Sequence, residues 1–118
     1  MIDSTPRVIL GTYGFQGSGY DRPAPLGGNA TPSYTVPPDK RAQLIYFRAG
    51  NSCGEMVALT LTRDGKAMRV FPVGARGAEH VPLAVVEDLE PDTKIGVLVA
   101  APEGASGTVV LDMGLVEI

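Results

Sequence analysis

Residues 56–73 read MVALTLTRDGKAMRVFPV, and this stretch restricts the fold more than any other. Val57, Leu59 and Leu61 alternate with Ala58, Thr60 and Thr62, the period of two that sends one set of side chains to one face of a strand. Asp64-Gly65 follows, two residue types that tolerate the positive φ needed at both central positions of a type I′ turn. The chain then returns antiparallel along KAMRVFPV (66–73). Pro72 has no N–H to give to a ladder, so this strand is an edge or ends there.

The same grammar runs through most of the chain, with turn signals at the roughly 8–12-residue spacing of all-β domains. AQLIYFR (42–48) is an apolar and aromatic run ended by AGNSCG, and HVPLAVVE (80–87) alternates at Val81, Leu83 and Val85. KIGVLVAA (94–101) is apolar on both faces, as expected of a strand in the middle of the fold. RVILGTY (7–13) precedes these, and TVVLD (108–112) and LVEI (115–118) are expected as two strands on either side of Met113-Gly114. GARG (74–77), DLEPDT (88–93) and PEGASG (102–107) supply reversals. No stretch of ten or more residues carries a helical period. The expectation is a single all-β domain over residues 1–118, an antiparallel sandwich of about eight strands.

Two stretches resemble known sandwiches. SGTVVLDMGLVEI (106–118) is similar to the last two strands of galactose-binding-like jelly rolls, the carbohydrate-binding modules among them, which implies a jelly-roll arrangement. DLEPDTKIGVLVAA (88–101) is similar to the E–F corner of fibronectin type III domains, with Ile95 standing where the corner tyrosine would be. Each covers a small part of the chain.

Residues 11–38, GTYGFQGSGYDRPAPLGGNATPSYTVPP, break the pattern. Glycine and proline punctuate the segment, and it holds Tyr13, Phe15, Tyr20 and Tyr34 beside a single acid, Asp21, and a single base, Arg22. It reads as an irregular aromatic arm or long loop. Long structureless segments inside compact domains are mostly functional or partner-bound. Tyrosine and phenylalanine bury large area at low rotamer cost, which suits a protein interface, and their rings also suit stacking on a sugar. A third option is that the segment covers its own sandwich.

Composition removes several classes of function. The net charge is −3, and the bases are scattered singly apart from Lys40-Arg41, so no basic face for nucleic acid is expected. Cys53 is the only cysteine, which excludes an intramolecular disulfide. MIDSTPRVIL shows neither a basic leader nor a sustained apolar run, and no membrane-length apolar stretch follows, giving a cytoplasmic expectation.

The residues that offer chemistry are few. Glu87, Asp88, Glu90 and Asp92 form the densest acidic cluster and are weak candidates for calcium, a cation that takes several oxygen ligands. Leu89 and Pro91 interrupt the run, the spacing matches no dedicated calcium loop, and a solvated turn is the favoured account of the charges. Cys53 and His80 are the candidates for thiol nucleophile and base, a pairing that requires hydrogen-bond reach. GFQGSG (14–19) resembles a phosphate loop only in its glycines. Tyr20-Asp21 stands where Lys-Ser/Thr is needed, and Pro23 and Pro25 prevent the following helix.

These readings point to a non-catalytic structural, assembly or accessory protein without a cofactor. It would act through protein–protein contacts with itself or a larger subunit, using Tyr13, Phe15, Tyr20 and Tyr34. The alternative is a module that binds a small molecule or carbohydrate through the same aromatics.

Overall fold

The structure, a computed structural model, describes residues 4–83 and 88–118. Its strands in chain order are β1 (Thr5–Gln16), β2 (Ala24–Pro25), β3 (Ser33–Thr35), β4 (Ala42–Asn51), β5 (Val57–Arg63), β6 (Lys66–Val73), β7 (Ala78–Pro82), β8 (Asp88–Leu89), β9 (Lys94–Ala100) and β10 (Ser106–Glu117). They form two antiparallel five-stranded sheets. The first runs β1-β10-β4-β7, with β8 also on β4, and the second runs β2-β9-β5-β6, with β3 also on β9. No α-helix occurs among the described residues, and none is long and apolar enough to cross a membrane.

The hairpin at 56–73 forms as its sequence dictates. Asp64 and Gly65 take φ of 50° and 84°, and Val57 pairs with Val73 across the ladder. Val57, Leu59 and Leu61 are fully buried between the sheets, so the alternating residues supply the core. The two sheets meet through side chains such as Phe47 of β4 and Phe71 of β6, whose rings stack with centroids 4.0 Å apart. The molecule is elongated, 50 × 23 × 22 Å. Its length follows from β1 and β10, each long enough to span about 40 Å at ~3.3 Å per residue.

AQLIYFR is apolar on both faces for a local reason. Across β10, Gly114 faces Tyr46 while Leu115 faces Leu44, so Ile45 is an extra residue. This bulge lets Leu44 and Phe47, three positions apart, both point into the core and leaves Ile45 exposed. The expected break at Met113-Gly114 does not occur: β10 continues through it. Gly114 is there for close approach, because the Tyr46 ring lies against its backbone and a Cβ would fall inside that ring's contact distance. The strand expected over 80–87 is observed as β7, ending at Pro82; residues 84–87 lie outside the described part.

Residues 11–38 are partly regular. Their first six complete β1, and the remainder crosses to the second sheet. The Leu26 N–H donates to the Val97 carbonyl at 3.0 Å and the Val36 N–H to that of Thr93 at 2.9 Å. Leu26 and Val36 are fully buried, so the segment is anchored to its own domain by two apolar side chains. Gly27 and Gly28 take positive φ at the turn between them.

Candidate functional site

The outer face of the first sheet gathers the polar groups that sequence spacing scatters. Strand register builds three rows across β1, β10, β4 and β7: Val8, Gly114, Tyr46 and Pro82; Leu10, Asp112, Arg48 and His80; Thr12, Val110, Gly50 and Ala78. Gly50 and Ala78 bring almost no side chain, and an open groove of about 400 Å³ lies over them, bordered by Arg48, His80, Val110 and Asp112.

Tyr46, beside the groove, touches two of its lining residues. Its hydroxyl donates to Asp112 Oδ1 at 2.7 Å, and the His80 ring meets it edge-on with centroids 6.1 Å apart. Arg48 Nη1 stands 3.7 Å from Asp112 Oδ2. The bond to Asp112, with a smaller contribution from burial, raises the Tyr46 pKa above its ordinary 10.0, so the hydroxyl stays a donor. Guanidinium, imidazole and carboxylate thus converge on one concave surface that offers both donors and acceptors. That combination suits recognition of a polar group. No Cys, Ser or Lys lines it to act as a nucleophile.

A second polar cluster joins the sheets at the other end of β10. Glu117 is 3% exposed, yet its carboxylate accepts from the Tyr34 hydroxyl at 2.6 Å and from Arg7 Nε at 3.1 Å. The Tyr34 bond and Arg7 outweigh burial and hold the carboxyl below its ordinary range. Burial and the same carboxylate push the Tyr34 hydroxyl well upward.

The four aromatics of the N-terminal segment are placed separately. Tyr13 and Phe15 sit on the inner side of β1 and pack against the core. Tyr34 is held by Glu117 near the start of β1, far along that strand from Phe15. Tyr20 is exposed, its hydroxyl donating to the Met56 carbonyl at 2.8 Å. Of the acidic candidates, Asp88 accepts from Gln43 at 2.8 Å, Glu90 faces Arg41 at 3.8 Å, and Asp92 occupies a turn with φ of 66°. Glu87 lies outside the described residues, among which no group of three or more His, Cys, Asp or Glu is placed to hold a metal.

Cys53 and His80 do not form a pair. Cys53 is buried in the turn after β4, its N–H donating to Asn51 Oδ1 and its carbonyl accepting from the Arg76 N–H, whereas His80 is exposed on the outer face of β7.

Sequence reasoning missed Arg48, Tyr46 and Asp112, which only the register brings together. Glu117 carried a readable signal: it continues the inward series Val109, Leu111, Met113 and Leu115, so alternation alone places its charge in the core.

No protein-family description matches the chain, and no curated protein does. Among solved structures, exo-beta-1,3-galactanase from Phanerochaete chrysosporium with galactose aligns at a TM-score of 0.38 and 11% identity, over 93% of this chain and 29% of that one. A variant of that enzyme with beta-1,3-galactotriose aligns at 0.37 and 12%, over 92% and 28%. The chain therefore spans less than a third of the proteins it is similar to, and likeness at this level says nothing of its activity.

Proposed function

We propose that this chain is a non-catalytic, jelly-roll β-sandwich that assembles through protein–protein contacts made by its first sheet, chiefly with copies of itself. One observation carries the reading. Three exposed large apolar side chains lie together on that sheet's outer face, where Val8, Leu10 and Val110 are 53%, 67% and 55% exposed in adjacent rows. A contiguous apolar surface rimmed by polar groups is what association buries. The contact surface lies beside the N-terminal aromatics rather than on them, since Tyr13, Phe15 and Tyr34 are engaged within the domain.

A second reading, binding of a small polar ligand, is favoured by the convergence of Arg48, His80 and Asp112 on the groove. The two differ in what concentration does. Light scattering from micromolar to millimolar chain should give a mass that rises to a defined multiple, and Leu10→Asp with Val110→Asp should abolish the rise. A monomer throughout overturns assembly and leaves ligand binding, which Arg48→Ala would then weaken.

A further inference from the structure

We infer that the free edge of β1 is a symmetric pairing site for a second copy of this chain, with a two-fold axis through Leu10. The inference deepens the assembly reading above and rests on it: it names the edge and the register.

An unpaired strand edge is a template for another strand, and proteins blunt such edges with short strands, prolines, charges or bulges. Among the described residues three of the four sheet edges are blunted in this way. β6 carries Pro72 and begins at Lys66; β7 and β8 are five and two residues; β2 and β3 are two and three. β1 differs. It pairs with β10 in unbroken register over all twelve of its residues, and no described strand lies on its other side. Its one charged side chain, Arg7, is directed to Glu117 of its own chain.

The hydrogen-bonding groups on that edge can be assigned. The Gly17 N–H donates to the Ala105 carbonyl at 2.6 Å, so the odd-numbered residues of this line present their polar groups to β10. The even-numbered ones face outward, which agrees with the Gly14 carbonyl accepting from the Gly27 N–H at 3.1 Å. That bond closes the edge at Gly14, and Pro6, with no N–H, closes it at the other end. Between them the N–H and C=O groups of Val8, Leu10 and Thr12 have no backbone partner among the described residues.

This open stretch is centred on Leu10. Rotation about Leu10 lets it exchange both backbone bonds with the partner subunit's Leu10. Val8 then exchanges bonds with the partner subunit's Thr12, and Thr12 with the partner subunit's Val8. A centre at Gly11 would set Val8 against the partner subunit's Gly14, whose carbonyl is already used. Facing residues in an antiparallel pair share a side of the sheet, so the exposed Val8 and Leu10 of both chains form one apolar stripe that continues to Val110. No like charges are opposed.

Proline substitution separates pairing from folding. At Leu10 it deletes an N–H that no partner among the described residues uses, and edge positions tolerate proline. At Ile9 it deletes a ladder bond to β10. The wild type is expected to scatter as a dimer, and Leu10→Pro as a folded monomer with an unshifted circular dichroism spectrum. In a Cys53→Ser background, Leu10→Cys should bridge two chains under mild oxidation. Paired Cα atoms about 5.5 Å apart lie within disulfide reach, and the same substitution at Thr12 should bridge far less. An oligomer that survives Leu10→Pro and yields no Leu10 bridge overturns the edge pairing and leaves assembly through another surface. A monomeric wild type overturns both. If Leu10→Pro unfolds, the Leu10 and Thr12 bridging yields decide alone.

Discussion

The Tyr34 hydroxyl of β3 donates a 2.6 Å hydrogen bond to Glu117 of β10, joining the second sheet to the first at a carboxylate that is almost wholly buried. Both partners titrate outside their ordinary ranges, and the signs follow from what the bond favours. Glu117 is lowered from 4.5, so the folded state favours its charged form; that stability is complete above 4.5 and is lost as pH falls through the lowered value. Tyr34 is raised from 10.0, so its contribution is complete below 10 and is lost as pH rises through the raised value. Tyr34→Phe leaves a buried acceptor short of a partner and should cost about 1–3 kcal/mol at neutral pH. It should also flatten the decline in stability above pH 10, in part only because Tyr46 is raised too. Urea midpoints measured by circular dichroism from pH 3 to 11 check this; a variant curve parallel to the wild type above pH 10 would count against the assignment.

Phe47 and Phe71 stack across the interface between the sheets with rings 6° from parallel. Truncating either opens a cavity that neither sheet can close alone, so Phe47→Ala and Phe71→Ala should each cost about 3–5 kcal/mol. The double variant should cost less than their sum, by roughly 0.5–1.5 kcal/mol, the coupling typical of an aromatic pair. Strict additivity in denaturant unfolding would mean that the rings stabilise the sandwich only through the area each buries.

The position of Gly114 is set by the Tyr46 ring laid against it. Gly114→Ala should displace that ring, break its bond to Asp112 and cost about 1–3 kcal/mol, as overpacking does. The cost should shrink sharply in a Tyr46→Ala background, where the space is empty. An equal penalty in both backgrounds would place the requirement for glycine in the backbone instead.

What the sequence made legible follows from how local each signal is. The hairpin at Asp64-Gly65 and the buried face of β5 rest on alternation and turn chemistry within a few residues and form where expected, and the apolar run over 94–101 becomes β9, an inner strand of the second sheet. β10 was harder, because Gly114 serves a contact from Tyr46, far away in sequence, and a glycine required by a neighbour reads the same as a glycine that ends a strand. Segment 11–38 misled through composition. Glycine and proline mark its turns, while the two apolar residues that anchor it, Leu26 and Val36, stand singly among prolines and glycines with no alternating partners. The groove of Arg48, His80 and Asp112, with Tyr46 beside it, had no local signature, since these residues meet only through the register of β10, β4 and β7.

Asn51 closes β4 with a side chain that is 5% exposed and fully used. Its Nδ2 donates to the carbonyls of Glu55 at 2.9 Å and Gly74 at 3.2 Å, and its Oδ1 accepts from the Cys53 N–H at 2.9 Å. One amide therefore holds the turn that contains Cys53 against the loop after β6. Asn51→Ala deletes all three bonds and should cost about 1–3 kcal/mol, the range for leaving buried polar groups unpaired. Asn51→Asp keeps the acceptor but turns the donor into a carboxylate oxygen facing two carbonyls, a charge in a buried position. At pH 7 it should therefore destabilise the fold more than alanine does. The gap should narrow as pH falls, because a protonated Asp regains one donor. Chemical unfolding of both variants at pH 7 and pH 4 makes the comparison. If Asp proved milder than Ala at pH 7, the acceptor bond to Cys53 would be the one that holds this turn, and the two donor bonds would be incidental.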